Sequence, residues 1–380
     1  MRILILHSRY LSGWASGENS VVRDEERLLT EAGHEVVSWT PSPEPDLSHA
    51  RLGARTLWSP EALAHVRRLI ASHRPEIVHG HNLFPMLSPA VLRAGAASGA
   101  KVVVTLHNYR MLCLPATCFR DGEVCELCVG HVPWRGVAYR CYRGSALGSA
   151  ALAASLTMHR AIRTFDHVSL FLAVSAFVRD KHLEAGFAPE RIVVKPNFSW
   201  PRPRREGAGD YFLYAGRLAP EKDVGVVLEA WGALSTPLIV VGDGPQMDAM
   251  RAAAPPGVEF RGTVPPDEVS RLLLGARALL LPSRCNEPNP RSVLEAYSAG
   301  VPVIASAIGG LTEMVEDQVS GMLVRGRSAD AWVEALETLM DDATSVRLGE
   351  GAFDLWFREY GPDKGLERLE LAYRAARNPM

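Results

Sequence analysis

Glu287-Pro-Asn-Pro-Arg-Ser-Val-Leu-Glu295 sets two carboxylates eight residues apart, the first in a loop and the second inside the helix expected over 290–299. A carboxylate in such a place can accept two hydroxyl hydrogen bonds and so fix a ribose. The spacing alone also fits two unrelated surface glutamates. Gly216-Arg-Leu-Ala-Pro-Glu-Lys222 changes the balance, because it follows the first strand of the same half of the chain and supplies Arg217 and Lys222. A rigid guanidinium fork and an ammonium point charge over a sheet edge can stabilise the charge that develops on a departing diphosphate. The sequence contains no Asp-x-Asp pair that would carry a divalent ion for that charge, so side-chain cations are the expected substitute. Arg291 fits a phosphate contact and a helix-capping or surface role equally.

Two acids also serve glycoside hydrolases, but those enzymes need a general acid for a poor leaving group, whereas a diphosphate departs with electrostatic help alone. A nicotinamide dehydrogenase is disfavoured, since no Gly-x-Gly-x-x-Gly follows a strand.

The elements that must hold these groups alternate. Strands are expected over 2–7, 35–39, 76–79, 101–106, 168–173 and 191–195, with helices over 17–32, 60–73, 86–97, 144–165 and 176–185 between them. A second series begins with a strand over 211–215 and continues through strands at 237–241, 258–260, 278–281 and 301–305. Such alternation predicts parallel, doubly wound α/β sheets, here two of them. Residues 1–196 form the first expected domain, with a cysteine-rich excursion over 108–143. A Pro/Arg/Gly-rich linker is expected over 197–209, a second domain over 210–355, and a helical tail over 356–380 that packs back on the first domain.

Composition bounds the rest. In 380 residues, 41 Lys+Arg against 43 Asp+Glu leave a formal charge of −2, so no general attraction for nucleic acid or an anionic membrane is expected. No stretch reaches the roughly 20 apolar residues of a membrane span, and no secretory leader is evident, so a cytoplasmic protein is expected, with peripheral membrane contact left open.

Gly216-Arg-Leu with Pro220-Glu-Lys222, Val240-Val-Gly-Asp-Gly-Pro245, the Glu287-x7-Glu295 pair, and Ala299-Gly-Val-Pro-Val-Ile-Ala-Ser306 followed by Gly309-Gly310 together resemble the retaining family 4 glycosyltransferases. The resemblance spans essentially the whole chain. It implies the GT-B architecture of two facing Rossmann-like domains. It also implies a nucleotide diphosphate sugar as donor, UDP-sugars foremost, and transfer to an acceptor hydroxyl of a glycan, a lipid-linked or a small-molecule acceptor without a catalytic cofactor. On this resemblance Glu295 binds the ribose, Glu287 lies beside the transferred sugar, and Arg217 and Lys222 hold the diphosphate. Gly242 and Gly244 let the backbone approach the nucleotide, and Asn289 and Arg291 offer main-chain contacts. In the first domain Gly13 and Gly17 shape the loop after strand one, Glu18 and Asn19 lie within reach of an acceptor hydroxyl or phosphate, and His107 approaches the donor sugar. His7 at the end of strand one fits a structural role equally. One departure stands out: the family's Gly-Phe-Gly or Gly-Phe-Pro after the first Glu is here Pro288-Asn289-Pro290, and proline has no N–H to donate. A nucleotide-sugar epimerase or a non-catalytic nucleotide-sugar binding protein would share the architecture.

Five of the six cysteines fall between Cys113 and Cys141. Cys125-x2-Cys128 has the spacing of a metal knuckle, and with Cys113 and Cys141 it could supply four thiolates to one structural zinc. The alternative is a set of buried thiols packing as small hydrophobes, with Cys118 and Cys285 as ordinary examples.

Overall fold

The computed structural model describes residues 1–9, 17–43, 48–232 and 234–378. The chain divides into two compact units. One comprises Met1–Arg120, Cys125–Pro196 and Gly365–Met380; the other comprises Asp121–Val124 and Asn197–Lys364.

The first unit is built on six parallel strands, β1 (Arg2–Leu6), β2 (Glu35–Trp39), β3 (Ile77–Gly80), β4 (Lys101–Leu106), β5 (Leu170–Ala173) and β6 (Ile192–Val194), in the order β2-β1-β3-β4-β5-β6. Because the inner strands are covered on both faces, their residues read as nearly continuous apolar runs, yet alternate residues serve different cores. Leu4, Leu6, Val78, Val102 and Val104 enter one cluster. Ile3, Ile5, Ile77, Val103, Leu170 and Leu172 enter the other, where they meet Val22 and Leu29 of the helix Gly17–Glu31. Leu369, Ala372, Tyr373 and Ala376 of the last helix, Pro362–Arg377, complete that second layer. The tail therefore packs on the first unit, as the sequence leads one to expect. Serines at the entry to several helices supply the missing acceptors: Ser59 accepts from Ala62 N–H ahead of Pro60, and Ser145 and Ser175 do the same for their helices.

The second unit holds β7 (Tyr211–Ala215), β8 (Leu238–Val241), β9 (Val258–Gly262), β10 (Ala276–Leu281), β11 (Val303–Ser306) and β12 (Gly321–Val324), all parallel, in the order β9-β8-β7-β10-β11-β12. That is the doubly wound Rossmann order, whose direction reverses between β7 and β10. Leu213, Ile239, Leu279 and Val303 face one core, and Phe212, Val240, Leu280 and Ile304 the other.

Three boundaries differ from the sequence expectation. Residues 197–209 belong to the second unit rather than forming a separate linker, since the arginines that give the stretch its polar composition are structural. Arg205 donates to the carbonyls of Ala208, Ala276 and Arg277 and to Ser345, and burial pulls its pKa down to about 10. The return to the first unit starts later than residue 356. Trp356 and Tyr360 lie in the core of the second unit, and Gly361-Pro362 breaks the helical run before the last helix begins. The helix expected from residue 86 starts at Ala90, after Ser88 adopts a positive φ.

Candidate functional site

In open α/β sheets, ligands bind at the carboxyl ends of strands where the strand order reverses. In the second unit that point lies between β7 and β10, and the loops leaving those two strands carry Arg217, Lys222 and Glu287. Lys222, in the short turn Pro220–Lys222, donates from Nζ to Glu287 Oε1 at 2.5 Å. Ser283 Oγ donates to the same oxygen at 2.5 Å. Glu287 is buried, and its carbonyl receives Gly310 N–H at 2.7 Å, which ties the Gly309-Gly310 turn to this loop. Burial pulls the Lys222 pKa down, but the Glu287 carboxylate overrides it and leaves the ammonium above its ordinary value. Arg217 is half exposed and pairs with Glu221 on its own turn, while its carbonyl accepts the Tyr214 hydroxyl at 2.8 Å. Cys285 lies buried in the same loop, and burial pushes its thiol up to about 12, an inert group.

Glu295 is held by two guanidiniums. Arg291, four residues earlier on the helix Arg291–Ser298, and Arg202 each reach Glu295 Oε1 at 3.2 Å. Arg202 lies in the stretch that reads as linker, so composition hid it. Asn289 is buried and holds the segment that begins at Asn197 within the second unit: its side-chain oxygen accepts Asn197 N–H at 3.1 Å and its carbonyl accepts Asn197 Nδ2 at 3.2 Å.

Gly242 and Gly244 have a nearer use than a nucleotide. A Cβ on Gly242, whose φ is +127°, would collide with the Gly216 carbonyl, and one on Gly244 would collide with that of Leu218. The missing side chains let the turn after β8 lie against the turn carrying Arg217, with Gly216 N–H on Val241 O at 3.0 Å and Leu218 N–H on Asp243 O at 2.9 Å. Beside Ser283 a cleft of about 160 Å³ opens, lined by Asp223, Arg284, Ser306 and Arg327 among others, with Ser306 closing the Ala299–Ser306 motif.

In the first unit the strand order reverses between β1 and β3, and the groups at the carboxyl ends of β1, β3 and β4 are histidines. His107 Nε2 is hydrogen-bonded to His81 Nδ1 at 2.8 Å, while its own Nδ1 is buried without a partner. Burial, reinforced by neighbouring positive groups, holds both imidazoles well below their ordinary pKa, so they are neutral. His7 bonds Asn19 at 2.7 Å and burial lowers its pKa to about 4. Glu18, in the first turn of the helix that Gly17 opens, accepts from Asn108 Nδ2. Glu18, His81, His107, Asn108 and Arg110 line one cavity of about 40 Å³. The chain thus brings Glu18 and His107 together and gives Asn19 to His7. Gly13 lies outside the described residues.

Glu25, His79 and His81 place three potential ligand atoms within 4.8 Å of one another. The cationic position there is already filled, since Lys195 pairs with Glu25 and both His79 nitrogens are bonded, to Tyr373 and Thr105 at 2.8 Å each. Sequence reasoning missed this network because its members are scattered along the chain from Glu25 to Tyr373. The four cysteines expected to bind zinc all line one small cavity of the first unit.

Residues 15–198 match the family described as Glycosyltransferase Family 4, and residues 209–342 match Glycosyl transferases group 1. The chain belongs to glycosyltransferase family 4 and has the GT-B fold of two Rossmann-like domains. It is 36% identical over 158 residues to the D-inositol 3-phosphate glycosyltransferase of Corynebacterium glutamicum, covering 37% of this chain and 38% of that protein. It is 29% identical over 176 residues to the lipopolysaccharide 1,2-N-acetylglucosaminetransferase of Salmonella typhimurium, covering 42% and 46%. The matches thus span less than half the length of these relatives. Among solved structures, HepE of Anabaena in complex with UDP aligns over 99% of this chain and 100% of its own, with a TM-score of 0.67 at 17% identity. Sucrose-phosphate synthase from Thermosynechococcus elongatus aligns over the full length of both chains, with a TM-score of 0.72 at 17% identity. No helix among the described residues is long and apolar enough to cross a membrane.

Proposed function

We propose that this chain transfers a sugar, with retention of anomeric configuration, from a nucleotide diphosphate sugar to an acceptor hydroxyl, and that UDP-sugars are its donors. The observation that carries this reading is the Lys222 ammonium fixed on Glu287 at the strand-order reversal of the second sheet, with Arg217 on the same turn. A lysine kept charged by a buried carboxylate is preorganised for the negative charge that grows on the diphosphate as its bond to the sugar breaks. Arg217, exposed and paired with its own turn's Glu221, can redirect its fork to a phosphate. Glu295 between Arg291 and Arg202 is oriented to accept ribose hydroxyls. Pro288 and Pro290 withhold two backbone donors, so sugar recognition falls to Asn289, Arg291 and the side chains around Ser283.

The neutral His107 in the first unit suits a hydrogen bond to a sugar hydroxyl better than proton transfer. Its neighbours Glu18 and Arg110 offer one acceptor and one cation to a hydroxyl-bearing acceptor, which fits a glycan, a lipid-linked or a small-molecule glycoside precursor. The relatives named as D-inositol 3-phosphate and lipopolysaccharide glycosyltransferases fall within that range.

A thermal-shift panel of UDP, GDP and ADP tests the donor. A ligand at a hundred times its Kd adds about 2.7 kcal/mol of stability, and UDP is expected to give the largest shift. A larger shift with GDP or ADP refutes the base assignment, and no shift with any of them refutes the nucleotide site. Turnover is expected to continue when magnesium is omitted, and product NMR to show the donor's anomeric configuration.

A further inference from the structure

The excursion over 108–143 has little regular structure: two strands of two residues and one five-residue helix, Trp134–Ala138. Cys113, Cys125, Cys128 and Cys141 come from four places along it and line one cavity of about 20 Å³. A water-sized occupant needs roughly 10–15 Å³, so the cavity admits a single small guest.

Positive side chains surround the group. Arg120 and Arg135 line the same cavity and Arg110 lies close to Cys113. Four thiolates around a divalent cation carry two net negative charges, which these guanidiniums offset.

We infer that Cys113, Cys125, Cys128 and Cys141 form a tetrahedral four-thiolate site for one zinc ion that holds the excursion together. As the side chains stand, no three of the sulfurs lie within 4.8 Å of one another. Zinc–sulfur bonds of about 2.3 Å in a tetrahedron put the sulfurs about 3.8 Å apart. Binding therefore contracts the cavity by side-chain rotation and releases the thiol protons. Cys118 is outside the set: its thiol bonds the Cys113 sulfur, and it does not line the cavity.

The test is metal analysis of full-length protein purified without chelator, with X-ray absorption at the zinc edge. The expected result is about one equivalent of zinc with four sulfur neighbours at about 2.3 Å. Cys125→Ser and Cys128→Ser are expected to lower zinc affinity by at least about tenfold, while Cys118→Ser and Cys285→Ser retain about one equivalent. Because a ligand variant can fail to fold, the wild-type metal content and sulfur count decide by themselves. Less than about a tenth of an equivalent after incubation with zinc and desalting overturns the site. So does a spectrum with fewer than four sulfurs, a Cys113–Cys118 disulfide in freshly purified protein, or loss of zinc in Cys118→Ser as complete as in Cys125→Ser.

Discussion

Lys222→Met separates what the lysine does for folding from what it does for the reaction. The substitution removes the ammonium 2.5 Å from Glu287 Oε1 and leaves a carboxylate that is only 4% exposed with Ser283 as its remaining donor. Removing one partner of a fully buried pair costs about 3–5 kcal/mol. The Lys222 side chain keeps 27% exposure, so water screens part of the loss and about 2–3 kcal/mol is expected. For a unit of this size that lowers Tm by about 4–12 °C. Lys222→Met/Glu287→Gln removes both charges, and its stability should return to within about 1 kcal/mol of wild type. Turnover should not return with it: losing a preorganised charge that acts on the departing diphosphate lowers kcat by about 10²–10³ in both variants. Calorimetry and single-turnover kinetics on the three proteins give both quantities. If the double variant regains turnover along with stability, or if Lys222→Met turns over within about threefold of wild type, the lysine serves folding alone and the proposed role is wrong. The lysine adds no pH dependence near neutrality. The lysine pKa is raised, so its contribution is fully present below the unfolded value of about 10.4 and is lost only above it.

Glu295→Ala should weaken UDP binding by calorimetry while leaving the Lys222–Glu287 pair intact, and unchanged affinity would remove Glu295 from the nucleotide site. Gly242→Ala forces a Cβ into the Gly216 carbonyl at a positive φ and should cost more than about 2 kcal/mol, read by urea unfolding; a neutral effect would contradict the close packing of the two turns. Tyr373→Phe leaves His79 Nδ1 without its buried partner and should cost about 1–3 kcal/mol. Acid should destabilise the first unit early. Burial holds His7 at about 4, His79 at about 3 and His182 at about 4, so the unfolded chain takes up protons first as pH falls below about 6.5. Each such histidine removes about 1 kcal/mol between pH 7 and 5.5, and a Tm that stays level over that interval would refute their burial.

The motifs around Arg217, Lys222, Glu287 and Glu295 were legible because each sits at a strand end or a helix start, where short-range spacing decides geometry. The alternation of strands and helices was legible for the same reason. What escaped depended on contacts distant in sequence. The helix His49–Leu57 carries a glycine in its middle, but Gly53 lies where that helix meets Ala151, 3.6 Å from the Cβ it would have. Strand β12 begins with Gly321, a turn residue by composition, yet a side chain there would strike the Val303 carbonyl of the neighbouring strand. Arg202 and Arg205 read as linker polarity and prove to be partners of Glu295 and of buried carbonyls. The histidine network around Glu25 and Lys195 assembles from residues bonded across up to 294 positions of sequence, beyond the reach of any local pattern.

The first unit is not contiguous in the chain. Its second apolar layer is completed by Leu369, Ala372, Tyr373 and Ala376, which follow the whole of the other sheet in sequence. During synthesis, Ile3, Ile5, Leu170 and Leu172 therefore emerge from the ribosome long before this part of their cover does, and must wait for it while about 200 further residues are made. A stretch translated after the second sheet is what seals the first.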